Sequence, residues 1–225
     1  MPGVVPHYKA FRRKLLRDKA HIAPLQLLGR IEDLLTKEFA SSILVNSKWK
    51  TLPLLNVGMS GDKRRIDVAL ISGDISERVN KNALRIWAFV ELKYLRNKHR
   101  IGEANAQDEL EPTFRSLHTQ LKRLNVSNFA GYPVRLRAGI GDTYGLVFAS
   151  YVHRASATNT PDAFVKRIQE AARNHGFQTH NFKSPKLYPI YSDVPVQILG
   201  ATYKVSLFSG LWRLAGEACC ECDTE

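Results

Sequence analysis

Cysteine is scarce in this chain of 225 residues: there are three, Cys219, Cys220 and Cys222, and all lie at its end. An odd, crowded set of this kind is not the framework of a small secreted disulfide domain, so a reducing, cytoplasmic compartment is the expectation. The three could hold part of a zinc site, but four ligands are needed and no His or further Cys lies nearby, so a frayed tail is the better reading. Long apolar runs are also missing. No segment approaches the roughly 20 residues of a membrane span, which excludes an integral helical membrane protein. Near the N-terminus basic residues continue where the apolar core of a signal peptide would lie, so no secretory leader is expected.

Acidic residues are the other shortage. Asp and Glu total 21 against 33 Lys and Arg, which leaves a net charge of +12 and a sequence pI of about 9.8. A balance this basic concentrates polyanions around the protein, and nucleic acid is the commonest such partner. An anionic membrane surface fits less well, because no long basic amphipathic helix with an aromatic face stands out. Hydrophobic residues at 44% and charged residues at 24% are those of an ordinary globular domain.

The first 23 residues form a basic segment in which Lys9, Arg12, Arg13, Lys14, Arg17 and Lys19 face one acid, Asp18. Such a run is a solvated face, a phosphate contact or a localisation signal. Pro24 is expected to open an amphipathic helix carrying Leu27, Leu28, Ile31, Leu34, Leu35 and Phe39 at helical spacing. Residues 43–50 and 51–57 are expected as one broken strand or two short ones, with Pro53 favouring a sheet edge. Clear strands follow at 65–72 and 85–95, joined by a polar hairpin loop. A helix is expected from about Glu111 to Leu124 with Pro112 in its first turn, and a central strand from Tyr144 to His153. Another helix begins near Asp162 and ends at Gly176, and residues 194–208 close with a hairpin around Gly200. The fold class is therefore α/β: a mixed central sheet with helices on both faces, in one domain from residue 24 to 215 followed by a tail over 216–225.

The residues that carry chemistry lie on the two clearest strands. Glu91 and Lys93 are separated by one residue, so strand alternation points both to one face. Asp67 lies on the preceding strand, which a hairpin brings alongside. Ionisable groups inside apolar strands are costly to bury unless they pair or bind a metal. Two carboxylates offer hard oxygen ligands to Mg²⁺, which keeps part of its water shell. As a tripeptide Glu-x-Lys has little weight: eleven Glu and fifteen Lys give about 0.7 chance occurrences in a chain of this length. Its weight comes from placement, on the strongest strand, after a strand bearing an isolated Asp and before a helix. The competing account is a Glu91–Lys93 pair on a solvated strand face.

In this arrangement the sequence resembles the PD-(D/E)XK nuclease superfamily, with its restriction-endonuclease-like core of a helix, a three-stranded meander, a helix and a further strand. Asp67 answers to the first acid, Glu91 to the second and Lys93 to the lysine, while Ile66 stands where the name-giving proline would be. The resemblance implies a Mg²⁺-dependent phosphodiesterase, with Mn²⁺ a possible substitute, acting most naturally as an endodeoxyribonuclease on double-stranded DNA. Its biological setting would be restriction, repair or a phage or mobile element. Many members are homodimers, which this sequence leaves open. The resemblance also gives roles to Glu32 on the first helix as a further metal ligand, with Glu38 its rival, and to Gln120 on the helix after the lysine. In the chemistry so implied, Asp67, Glu91 and Glu32 hold the metal and Lys93 orients the attacking water.

Two basic clusters flank these residues, Lys63, Arg64 and Arg65 before Asp67, and Arg96, Lys98 and Arg100 after Lys93. Both are placed to grip a phosphate backbone, with Lys122 and Arg123 as additions. His175 and His180 suggest a metal pair, yet Asn174-His175-Gly176 fits a helix end better. No phosphate-cradling glycine loop, no His/Asn pattern of the ββα-metal nucleases and no Ser–His–Asp spacing is present. The alternative is a nucleic-acid-binding module that keeps a nuclease fold without catalysis.

Overall fold

The computed structural model describes residues 3–28, 31–48, 50–59, 62–72, 85–97, 106–124, 137–156, 160–179 and 184–215. Five helices and seven strands follow in the order α1 (Val4–Arg17), α2 (Lys19–Leu28), α3 (Glu32–Asn46), β1 (Thr51–Met59), β2 (Asp62–Ser72), β3 (Arg85–Arg96), α4 (Ala106–Leu124), β4 (Arg137–Arg154), α5 (Asp162–Asn174), β5 (Phe177–Thr179), β6 (Tyr188–Ile198) and β7 (Ala201–Leu214). Among the described residues no helix is long and apolar enough to cross a membrane.

All the strands join one mixed sheet in the order β1-β2-β3-β4-β7-β5, with β6 also paired to β7. Only β3 and β4 run parallel, and α4 provides the crossover that such a pair requires. The sheet is covered on both faces. Val68, Leu70, Ala88, Val90, Leu92, Leu146 and Phe148 pack beneath α1, α2 and α3. On the other face Ala69, Phe89, Val147 and Ala149 pack beneath Phe114, Leu117 and Leu121 of α4 and Phe164 and Ile168 of α5. The near-continuous apolar run of β4 thus sits where both faces are buried.

Several boundaries differ from the expectation. Pro24 does not open a helix but lies inside α2. That helix starts earlier because the Asp18 carbonyl accepts the N–H groups of His21 and Ile22. The apolar stripe drawn through Leu27, Ile31 and Phe39 spans two helices, with α3 beginning at Glu32. Residues 43–46 end α3 instead of forming a strand, since Ile43 completes the stripe of Leu35 and Phe39 in the core. Pro112 lies well inside α4, which starts at Ala106. A proline there forfeits one backbone hydrogen bond, and the buried stripe of Leu110, Phe114, Leu117 and Leu121 carries the helix through it. The expected hairpin loop between β2 and β3 lies outside the described residues.

Other features match. Pro53 sits on β1, an edge strand. Gly176 ends α5 at φ +76, and Leu199 (φ 51) with Gly200 (φ +77) forms the two left-handed positions of a tight turn between β6 and β7.

The basic segment folds as α1, whose Val4, Tyr8, Phe11 and Leu15 are buried. Phe11 packs against Phe39 of α3 and edge-on to Phe148 of β4. Two of its cations are occupied. Arg12 lies between the rings of Tyr8 and Tyr188 and donates to the Pro189 carbonyl at 2.8 Å, while Lys14 pairs with Glu38.

Candidate active site

The β2–β3 ladder shifts register between Leu70 and Ile71, where Trp87 is left unpaired, and ends just before Asp67. The β2–β3 ladder closes with Val68 opposite Val90, so Asp67 comes next to Glu91 beyond the last regular pair. On the other side β1 pairs through Leu55↔Val68 and Val57↔Ile66, skipping Asn56, which sits opposite Asp67 with φ 53. Asn tolerates this left-handed conformation better than most residues. The chain also turns over here, because Val68 belongs to the core under α1–α3 whereas Ile66 belongs to the core under α4. Asp67 thus lies where the β2–β3 ladder ends and where the β1–β2 ladder skips one pair without losing register.

Side chains take over the missing rungs. The Asp67 Oδ2 accepts the Leu92 N–H at 2.7 Å, and the Glu91 Oε2 accepts the Asp67 N–H at 3.4 Å. Lys93 Nζ donates to Glu91 Oε1 at 2.8 Å. The three residues thus form one hydrogen-bonded unit across two strands. Glu91 is 3% exposed and the Lys93 side chain 22%, so the carboxylate is interior and the ammonium reaches outward.

Parity sets the face. Phe89 and Val147 lie under α4, and Glu91 and Lys93 share the alternation of Phe89. Glu91 is registered with Gly145 and Lys93 with Val147 on β4. A Cβ at Gly145 would stand 3.1 Å from Leu117 Cδ2, so the glycine lets α4 close down beside Glu91. Gln120 is on this side of the sheet, one turn beyond Leu117. Its buried Oε1 finds no hydrogen-bond partner among the described residues.

Electrostatics follow from this burial. Desolvation pushes the Asp67 carboxyl above its ordinary pKa, the Leu92 N–H and Lys93 oppose the shift, and the charge of Asp33 adds to it. Glu91 moves the same way, again chiefly through burial, with Lys93 opposing and Asp67 reinforcing. For Lys93 burial disfavours the ammonium, but Glu91, Asp67 and Glu32 together outweigh it and raise the pKa. Lys93 is therefore a firm cation at neutral pH and serves as a hydrogen-bond donor, not as a base.

Glu32 and Asp33 are the first two residues of α3, half-buried and exposed respectively. The sequence leaves Glu32 and Glu38 as rivals and does not single out Asp33. Glu38 is engaged by Lys14 on α1, whereas Glu32 acts on the field at Lys93 and Asp33 on that at Asp67. The missed signal was the acidic Glu32-Asp33 pair, typical of a helix's first turn, inside what looked like one longer helix.

The flanking basic residues are only partly described. Arg65 is exposed, and Arg96 is half-buried with a long 3.4 Å contact to the Leu27 carbonyl. Lys63 and Arg64 lie on β2, but their side chains are outside the described residues, as are Lys98, Arg100 and the side chain of Arg123. Lys122 is exposed on α4. His175 is structural: its carbonyl contacts His118 Nδ1 at 2.7 Å and its Nε2 meets Glu111 at 2.6 Å, tying α5 to α4. His180 and the three cysteines lie outside the described residues.

Among the described residues no three His, Cys, Asp or Glu side chains form a ready-made metal cage. The donor set nevertheless fits a hard cation. Buried Glu91 and half-buried Asp67 lie side by side, both raised in pKa chiefly by desolvation, and Mg²⁺ characteristically takes one or two carboxylates and fills its shell with water and phosphate oxygen. Comparison of the chain with protein-family models, curated proteins and solved structures returns no match.

Proposed function

We propose that this protein is a Mg²⁺-dependent nuclease with a restriction-endonuclease-like core, hydrolysing phosphodiester bonds at Asp67, Glu91 and Lys93. One observation carries the reading. Buried Glu91, half-buried Asp67 and the Lys93 ammonium are joined by hydrogen bonds where the β2–β3 ladder ends and the β1–β2 ladder skips a pair. Structural ion pairs are seldom placed at such a cost inside a sheet, whereas functional sites are.

Asp67 and Glu91 would hold the cation, while Glu32 and Asp33 at the start of α3 add negative charge to the field at Lys93 and Asp67. When bound, the ion supplies Lewis acidity toward the phosphoryl oxygen and lowers the pKa of the attacking water. The protein's own groups do the rest. Leu92 N–H fixes one Asp67 oxygen, so the carboxylate is oriented before any ligand arrives. Lys93, held by Glu91, stays protonated and can donate to the attacking water or to a non-bridging phosphate oxygen. The net charge of +12 supplies the attraction for a polyanion, and double-stranded DNA is the substrate we favour.

The test is cleavage of supercoiled plasmid with Mg²⁺, with Mn²⁺ and with EDTA, by wild type, Glu91→Gln and Lys93→Ala. Cleavage that needs the metal and is lost in both variants supports the proposal. Cleavage that persists in both variants overturns it, and salt-sensitive DNA binding without any cleavage identifies a non-catalytic binding module.

A further inference from the structure

A second site lies on the other face of the sheet. A cavity of about 580 Å³ opens between the start of α1, the end of α3 and the beginning of β1, with Trp87 of β3 in its wall. Trp87 packs on the core under α1–α3, whereas Glu91 faces α4, so the cavity and the candidate active site occupy opposite faces. Its volume lies within the range of small-molecule sites.

The lining is chemically lopsided. Among the described residues it contains Arg13, Lys48 and Lys50 and not one acid. All three cations are exposed, and among the described residues no ion pair ties any of them to a carboxylate. On the same helix Lys14 is neutralised by Glu38 and Arg12 is spent between two tyrosines, so Arg13 differs from its neighbours. Beside these cations the cavity has a flat apolar part formed by Trp87 and Ala10.

Two polar side chains in the same wall lack partners. His7 is 3% exposed, and neither of its ring nitrogens has a hydrogen bond among the described residues. The indole N–H of Trp87 is buried and equally unpaired. A buried donor left without a partner is costly, and such groups call for a ligand or ordered water. Backbone polarity adds a little: the first turn of α1 faces this region with no acidic residue and no side-chain cap.

We infer that this cavity binds a nucleoside phosphate, its base against Trp87 and His7 and its phosphate among Arg13, Lys48 and Lys50. A planar wall with unpaired hydrogen-bonding groups suits a base, and three unpaired cations at its edge suit a dianionic phosphate. The same chemistry comes from a free nucleotide or from the phosphorylated end of a strand. The inference is independent of the nuclease proposal, since none of its residues belongs to the Asp67–Glu91–Lys93 unit.

The experiment uses the full chain in EDTA, so that no metal-dependent cleavage intervenes. Tryptophan fluorescence and calorimetry follow titration with AMP, with adenosine and with a 5′-phosphorylated oligothymidylate. AMP or the oligonucleotide should bind, adenosine at least about tenfold more weakly than AMP if the free nucleotide is the ligand, and Lys48→Ala/Lys50→Ala should weaken the bound ligand by at least about tenfold. Those lysines are exposed, so the double variant should melt as wild type does. Binding of AMP identifies a free nucleotide; binding of the oligonucleotide alone identifies a strand end. Absence of millimolar binding by either ligand, or affinity unchanged in the double variant, overturns the inference.

Discussion

Asp67 Oδ2 lies 2.7 Å from the backbone nitrogen of Leu92, on the strand next to its own. A side chain thereby takes the place of a main-chain rung, and the carboxylate is oriented by a group that cannot rotate away. The Glu91 Oε2, reaching the Asp67 nitrogen at 3.4 Å, completes the exchange from the other strand.

This exchange has a cost that depends on pH. Asp67 and Glu91 both titrate above their ordinary range because they are buried. A carboxyl with a raised native pKa contributes its stability below the unfolded-state value, and that contribution is lost as pH rises through the native one. The metal-free protein should therefore lose stability as the pH rises above the ordinary carboxylate range of about 4. Asp67→Asn, which keeps an oxygen for Leu92, should melt a few degrees higher than wild type at pH 7 and alike at pH 4. Millimolar Mg²⁺ should raise the melting temperature of wild type more than that of the variant. Scanning calorimetry at both pH values checks all three.

At the alkaline end Tyr8 is one contributor, beside Tyr191, whose pKa burial raises further still. The Tyr8 hydroxyl shares a 2.9 Å hydrogen bond with Ser209, and burial pushes its pKa up to about 12. The unfolded chain ionises first, near pH 10, so the stability that this tyrosine provides is present below pH 10 and lost by about pH 12. Urea midpoints should fall over that interval. Tyr8→Phe should flatten the fall and cost about 1 kcal/mol at neutral pH, because Ser209 then lacks its partner.

Asn97 makes a comparable exchange at the end of β3. Its amide donates to the Val152 carbonyl at 2.9 Å and accepts the Val152 N–H at 2.8 Å. It thus imitates a peptide group where β3 stops. Asn97→Ala should cost about 1–3 kcal/mol in urea unfolding, since two interior main-chain groups lose their partners. Asn97→Leu, which offers neither donor nor acceptor, should be no better.

Gly210 on β7 is hemmed in. A Cβ there would stand 2.4 Å from the Trp212 Nε1 and 2.5 Å from the Lys186 carbonyl oxygen, whose mutual hydrogen bond spans 2.8 Å. Gly210→Ala should break that bond and destabilise the protein by about 3 kcal/mol, with a change in the fluorescence of the buried Trp212. Unaltered unfolding would show that the Lys186 segment moves aside freely.

Much of the fold was legible because its patterns are local. The apolar run of β4, the alternation around Glu91 and the hairpin at Leu199-Gly200 each follow from a few adjacent residues. The N-terminal helices were misdrawn for a physical reason. Leu27, Ile31, Leu35 and Phe39 keep one period across a break, and periodicity senses spacing without sensing interruption. That error also hid Asp33 at the start of α3. Gln120 was legible as a position, but its unpaired Oε1 depends on what α4 packs against. The cavity at His7 was not legible at all, since it joins residues from α1, α3, β1 and β3 that no motif connects.

β7 pairs with β4 along one edge and with β5 and β6 along the other. During synthesis, then, β4 emerges from the ribosome well before the strand that will cover its open side. Until residues 203–212 follow, the nascent chain presents an apolar strand with free amide and carbonyl groups, the kind of surface that chaperones retain. Truncations that stop short of β7 should accumulate as insoluble material, whereas the complete chain can close its sheet.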